Sequence, residues 1–157
     1  MTRTSILLAA ALCTTVGCAQ LSPQAEAPKA PVAKAAASKV SLYERLGGTG
    51  PITAVVGKFV SNVAADKRIN GWFAKADIPN LKRQLVDQVC QASGGPCTYT
   101  GKDMKTTHKG MKITTAAFNA LVEDLVAALD TFNVPEQEKG ELLSVLGPMK
   151  SDIVEVP

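Results

Sequence analysis

SLYERLGGTGPITAVVGKFVSNVAAD, residues 41–66, is the stretch that decides the fold class, because both of its halves are patterned as helices. Ser41 and Glu44 have the spacing of a capping box, which predicts a short helix that Gly47-Gly48 ends. Pro51 suits the first turn of a second helix. The apolar residues that follow recur at helical spacing, which predicts one buried face: Ile52, Val55, Val56, Phe59, Val60 and Val63.

Three further helices are predicted toward the C-terminus. One follows Pro79 and ends at Gly94-Gly95-Pro96, with an inward face of Leu81, Leu85 and Val89. The next begins near Thr114 or Thr115, with an inward stripe of Phe118, Leu121, Val122, Leu125, Leu129 and Phe132. Pro135 opens the last helix, which Gly147-Pro148 should kink or break. Because no alternating strand pattern of useful length occurs, we expect an all-α domain in which two long C-terminal helices pack against two shorter N-terminal ones.

Residues 1–17 have the order of a secretory signal peptide: a positive charge at Arg3, an apolar run over residues 6–12 and a small residue before Cys18. The run is too short to span a bilayer as a helix. Residues 15–18 resemble a bacterial lipobox, in which the cysteine is lipidated, although Thr15 stands where leucine is usual. We expect an exported lipoprotein held to the membrane through Cys18, on the periplasmic side of the cell envelope. The alternative is a plain signal peptide that is cut nearby.

The segment between the signal and the first helix is a predicted tether. Residues 18–40 are rich in Ala, Pro and Lys and cannot bury a core. The folded domain is therefore assigned to residues 41–157.

Net charge and aromatic content indicate which class of partner the chain lacks. A net charge of +3 and an aromatic content of 4% argue against a nucleic-acid partner.

Cys90 and Cys97 form an even pair that an oxidising compartment would join as a disulfide. The alternative is two free thiols, one of them buried in a helix face.

His108 is the only histidine of the chain. It lies between Met104 and Met111 in a poorly periodic segment, residues 97–112, which we interpret as a loop with a short helix. A lone histidine is usually exposed or simply hydrogen-bonded. The two soft apolar methionines around this one instead favour a residue that lines a pocket.

Several motifs, taken in order, resemble the group 1 truncated haemoglobins. They are the opening helix with its double glycine (41–48), Trp72-Phe73, Gly94-Gly95-Pro96, Tyr99-Thr100-Gly101, His108 with Gly110, Val134-Pro135 and residues 152–154. The resemblance runs from about 41 to 154. It implies a globin-like, two-over-two helical sandwich around haem b.

The resemblance also implies roles for single residues. His108 would be the proximal iron ligand, with its other ring nitrogen donating to a backbone carbonyl. The expected haem contacts are Phe73, Leu81, Leu85, Met104 and Met111. The expected distal pocket is formed by Phe59, Val60, Gln84 and Gln88. No C-x-x-C-H motif occurs, so covalent c-type attachment is not indicated.

The distal side departs from the family pattern. Val60 stands where many members have tyrosine, and Leu85 where a glutamine is common. Gln84 and Gln88 could reach the haem or the pocket instead, or they could lie on a solvated helix face. Four lysines around His108 also allow two interpretations: Lys102, Lys105, Lys109 and Lys112. They could contact haem propionates, or they could form a solvated face.

The function that the resemblance implies is reversible binding of a diatomic gas, oxygen or nitric oxide, outside the cytoplasm. The missing distal donors predict fast oxygen dissociation and a preference for nitric oxide. One alternative is a haem enzyme, a nitric oxide dioxygenase or a peroxidase, which would need a separate electron donor. Another is a haem-free helical interaction module.

Overall fold

The structure is a computed structural model that describes residues 40–157. The predicted signal peptide (1–17), the lipidation site at Cys18 and all but the last residue of the predicted tether (18–40) lie outside the described residues.

The described residues form a set of helices joined by loops, in agreement with the predicted all-α class. The α-helices are α1 (Leu42–Arg45), α2 (Thr49–Ala65), α3 (Ile78–Ala92), α4 (Met104–His108), α5 (Thr115–Thr131), α6 (Glu136–Leu146) and α7 (Lys150–Ile153). Short 3₁₀ helices span Asn70–Phe73 and Gly147–Met149. The extended pairing within this region is a single bridge between Thr114 and Val156. None of the helices in residues 40–157 has the length and apolarity needed to cross a membrane.

Helix α2 lies at the centre of the domain and packs against both α3 and α5. All six apolar residues predicted for its buried face are buried. Upstream, Ser41 and Glu44 form the predicted capping box, in which each side chain satisfies the other residue's backbone N–H. Gly47 and Gly48, both with positive φ, then turn the chain into α2.

The prediction for the inward face of α5 was wrong in part. Its buried residues are Ala117, Ala120, Ala128 and Leu129. The larger Phe118, Leu121 and Leu125 are half-buried at the edge of the core, and Phe132 lies past the helix end and is 44% exposed. Small alanines let α5 approach the valine-rich face of α2 closely, so the buried face is rotated away from the largest side chains.

The predicted lengths of the helices also need correction. Helices α2 and α5 have 17 residues each, whereas α6 has only 11. Gly147-Pro148 ends α6 at Leu146 and starts a 3₁₀ turn, as proline requires, so the last helix is short. The two long helices are therefore α2 and α5, one from each half of the domain.

Cys90 and Cys97 are joined in a disulfide at the C-terminal end of α3. Cys90 is fully buried, and the backbone N–H of Tyr43 donates to the carbonyl of Ser93, which fastens α1 to the same corner. Gly95 fits there because a Cβ would approach the Tyr43 ring to 2.5 Å and the Cys90 sulfur to 2.7 Å. The bond thus closes the loop that leads from α3 toward α4.

Reduction of the Cys90–Cys97 disulfide should lower the free energy of unfolding by about 2 kcal/mol, because the unfolded chain regains the freedom of the loop. Urea denaturation with and without a phosphine reductant measures the difference. Cys97→Ser is the matched control: it lacks the bond, so the reductant should leave its stability unchanged. Equal stability of the oxidised and the reduced chain would contradict the prediction.

Candidate functional site

The ring of His108 is held by the helix that carries it. Its Nδ1 lies 2.8 Å from the carbonyl oxygen of Met104, one turn earlier in α4. A carbonyl can only accept, so Nδ1 carries the proton and donates it to this bond. The lone pair of the neutral ring then belongs to Nε2, which is the form of imidazole that binds a metal. The bond agrees with the prediction that a backbone carbonyl fixes the tautomer.

The start of α4 is stabilised by Asp103. Its carboxylate accepts a hydrogen bond from the backbone N–H of Thr106 at 2.8 Å, as a helix N-cap does. Hydrogen bonds from Thr106 lower the pKa of Asp103 from its usual 3.8. The helix is only one turn long and has little stability of its own, so this cap contributes to holding the Met104 carbonyl in place for His108.

A cavity of about 430 Å³ lies between the end of α2, the 3₁₀ turn and the start of α3. Five of the predicted site residues line it: Phe59, Val60, Phe73, Leu81 and Leu85. Asn70 is the only polar residue among the lining residues, and its amide lies 3.4 Å from the carbonyl of Ala64. The wall of this cavity therefore offers no hydroxyl group to a ligand.

Three other predicted residues form a second group that does not line this cavity. Met104, His108 and Met111 are half-buried on and just after α4. The Trp72 indole connects the two groups, because its Nε1 donates to the carbonyl of Met111 at 3.0 Å. Trp72 precedes the cavity residue Phe73, so this bond joins the corner of the cavity to the segment after His108.

Gln84 and Gln88 are half-buried and share one face of α3 with Leu81 and Leu85 by their spacing. The Gln88 amide lies 3.5 Å from the sulfur of Met104 and 3.4 Å from that of Met149. It therefore extends toward α4. The Gln84 Oε1 is buried, and no other group in residues 40–157 donates to it. A buried amide oxygen left unpaired is costly, so Gln84 Oε1 is available as an acceptor to a ligand that donates a hydrogen bond.

The four lysines around His108 lie on the surface. Lys102, Lys105, Lys109 and Lys112 are all exposed, and no ion pair between residues 40 and 157 includes one of them. This placement fits the interpretation as a solvated face and leaves the charges accessible.

Two contacts of the site were not predicted from the sequence. They are the Trp72–Met111 bond and the approach of Met149 to Gln88. No sequence signal pointed to the first, because Trp72 is 36% exposed and an exposed indole N–H can bond to water instead. The second joins α3 to the segment after Gly147-Pro148, and this proximity follows only from the fold.

Within residues 40–157 no group of three or more His, Cys, Asp or Glu side chains could hold a metal ion. His108 would therefore give an isolated ion a single ligand. A metal that brings its own equatorial ligands, as the iron of a porphyrin does, needs no more than that from the protein. The apolar walls of the neighbouring cavity suit a flat, largely apolar group.

Comparison with known proteins supports the same interpretation. The family model described as bacterial-like globin matches residues 41–155. A group 1 truncated haemoglobin of Mycolicibacterium paratuberculosis is 34% identical over 117 residues, which cover 74% of this chain and 86% of the relative. One from Tetrahymena pyriformis is 32% identical over 114 residues, or 73% of this chain and 94% of the relative.

Solved structures agree with the sequence relatives. The Fe(III) form of the Tetrahymena pyriformis truncated haemoglobin superposes with a TM-score of 0.71 at 32% identity, covering 73% of this chain and 98% of that one. The 2/2 haemoglobin of a Synechococcus, solved in the cyanomet state with covalently attached haem, gives 0.69 at 30% identity with the same coverage. The predicted two-over-two globin fold is thereby confirmed.

The pKa of Asp103 should be below 3.8 in the folded chain, and Thr106→Val should raise it because the hydroxyl donor is lost. A carboxyl-carbon NMR titration measures both values. Thr107→Val is the control, since the Thr107 hydroxyl donates to backbone carbonyls instead. The stabilisation from this carboxylate is complete above pH 3.8 and is lost as the pH falls through the lower folded-state pKa. A pKa at or above 3.8 would contradict the prediction.

Proposed function

The chain belongs to the bacterial-like globin family, and on that premise we propose that it binds haem b through His108 and holds a diatomic gas reversibly. The observation that carries the proposal is the bond from His108 Nδ1 to the Met104 carbonyl, since it leaves Nε2 unprotonated for iron. A bound haem supplies an iron atom with one coordination position left for a gas. The protein's part is to orient the imidazole and to enclose the group in apolar side chains.

The residues present fit such a group. Phe73, Leu81 and Leu85 give the adjacent cavity an apolar wall, and Met104 and Met111 flank His108 with adaptable side chains. Gln84 and Gln88 lie on the face of α3 that carries Leu81 and Leu85. Neither amide has a strong hydrogen-bond partner among the described residues. A haem-free interaction module would have no need of two half-buried methionines beside a half-buried histidine.

The distal wall supports a preference among gases. Val60 and Leu85 bring no donor to the cavity, so a bound dioxygen would lack a hydrogen bond from either position. A hydrogen bond to a charged group contributes about 1.5 to 3 kcal/mol. Its absence should make oxygen dissociate about ten- to a hundredfold faster. We propose that nitric oxide, which depends less on such a donor, is the preferred ligand.

For the location we propose export and anchoring through a lipid on Cys18, with residues 18–40 as the tether. The Cys90–Cys97 disulfide supports this proposal, because such bonds persist in oxidising compartments. The charged, apolar and small-residue order of residues 1–17 supports it independently.

Hemin titration tests the haem proposal. The full-length chain should give a sharp Soret band with hemin, and carbon monoxide should shift the band of the reduced protein. In His108→Ala the band should be lost or altered, whereas Lys109→Ala, an exposed neighbour, should behave as the wild type does. If the wild-type chain gave no Soret band with hemin, the haem proposal would be wrong and the domain would be a globin fold without haem.

Stopped-flow oxygen dissociation tests the role of the apolar distal wall. Val60→Tyr adds a hydroxyl to the cavity and should slow dissociation by about ten- to a hundredfold. Val60→Phe is the matched control, with the ring but without the donor, and should leave the rate close to that of the wild type. Slow dissociation already in the wild-type chain would contradict the account.

A further inference from the structure

The backbone directly after His108 adopts an unusual conformation. Gly110 has φ +80° and Lys112 has φ +53°, so two positions of one short segment lie in the left-handed region. Lysine rarely adopts this region, and such a residue persists only where its surroundings hold it. The backbone N–H of Met111, between the two, donates to the carbonyl of His108 at 3.1 Å. The segment is therefore a turn that closes directly onto His108.

One side chain accepts hydrogen bonds from the backbone N–H groups at both ends of this turn, those of Gly110 and Lys112. Glu155 accepts a hydrogen bond from the Gly110 N–H on Oε1 at 2.7 Å and from the Lys112 N–H on Oε2 at 2.6 Å. These two bonds lower the pKa of Glu155 from its usual 4.5. A carboxylate is well suited to the task, because it has two acceptor oxygens and no donor.

Glu155 is itself fixed from both sides by backbone bonds. The N–H groups of Glu155 and Val156 both donate to the carbonyl of Ile113, at 2.9 and 3.1 Å. The N–H of Thr115 returns a bond to the carbonyl of Val156 at 3.1 Å. On the other side of the turn, the Trp72 indole binds the Met111 carbonyl. The carboxylate therefore acts from a rigid base, and α7 just before it contacts α4.

We propose that Glu155 is a positioning residue for His108. By holding the N–H groups of Gly110 and Lys112, its carboxylate fixes the C-terminal end of α4 and thereby the direction in which the imidazole meets the haem iron. This inference rests on the proposed haem function. It assigns to the last residues of the chain a role in setting the iron–histidine bond.

The test compares Glu155→Ala and Glu155→Gln with the wild type in the full-length chain. The first readout is amide hydrogen exchange in the haem-free protein, where Glu155→Ala should speed exchange at Gly110 and Lys112 by about tenfold. The second is the iron–histidine stretching band of the ferrous haem protein by resonance Raman spectroscopy, which should shift or broaden. Glu155→Gln keeps one carbonyl acceptor, so its exchange rates and its iron–histidine band should lie between those of the wild type and those of Glu155→Ala.

Asp152→Ala is the matched control, because Asp152 is an exposed carboxylate on α7 that makes no hydrogen bond or ion pair within residues 40–157. It should leave both readouts at their wild-type values. If Glu155→Ala fails to fold, Glu155→Gln decides with the same measurements.

The outcomes separate the two proposals. A wild-type chain that binds no hemin overturns the proposed function. Normal hemin binding with an unchanged iron–histidine band in both Glu155 variants overturns the positioning role alone, even if amide exchange at the turn becomes faster, because Glu155 would then only stabilise the turn.

Discussion

The packing of α2 against two neighbouring helices is the constraint on which the rest of the domain depends. Its buried face contacts α3 on one side and the alanines of α5 on the other, and these contacts form most of the core. The C-terminal part of the same face, Phe59, Val60 and Val63, lines the cavity. Val60 is only 6% exposed, so it serves the core and the distal wall together. An apolar distal wall is thus partly what the core itself requires.

The two sides of the candidate site are built by different means. The cavity side consists of apolar side chains from the long helices α2 and α3 and from the 3₁₀ turn, and packing alone positions them. The His108 side is a one-turn helix, which has little stability of its own. It is held by polar contacts: Asp103 at its start, the Met104 carbonyl on the ring, and Trp72 and Glu155 on the turn that follows.

The helices could be predicted from local signals, because the information lies within a few residues. Ser41 with Glu44 and the apolar positions of α2 determine their elements by capping and periodicity alone. The inward face of α5 could not be predicted in this way, since periodicity gives weight to large residues and the close approach is made by alanines. At the site, the resemblance grouped Phe73, Leu81 and Leu85 around one pocket. It did not reveal Trp72–Met111 or Glu155–Gly110, which join residues 39 and 45 positions apart and depend on the folded chain.

In the proposed haem protein, Nε2 of His108 is the ligand that the chain offers to iron. The most direct measurement is the absorption spectrum of ferrous His108→Gly reconstituted with hemin, recorded before and after free imidazole is added. The spectrum of the wild-type haem protein should be lost in the variant and should return with imidazole, which replaces the missing side chain in the space it leaves. A variant whose spectrum already matches the wild type without imidazole would contradict this assignment.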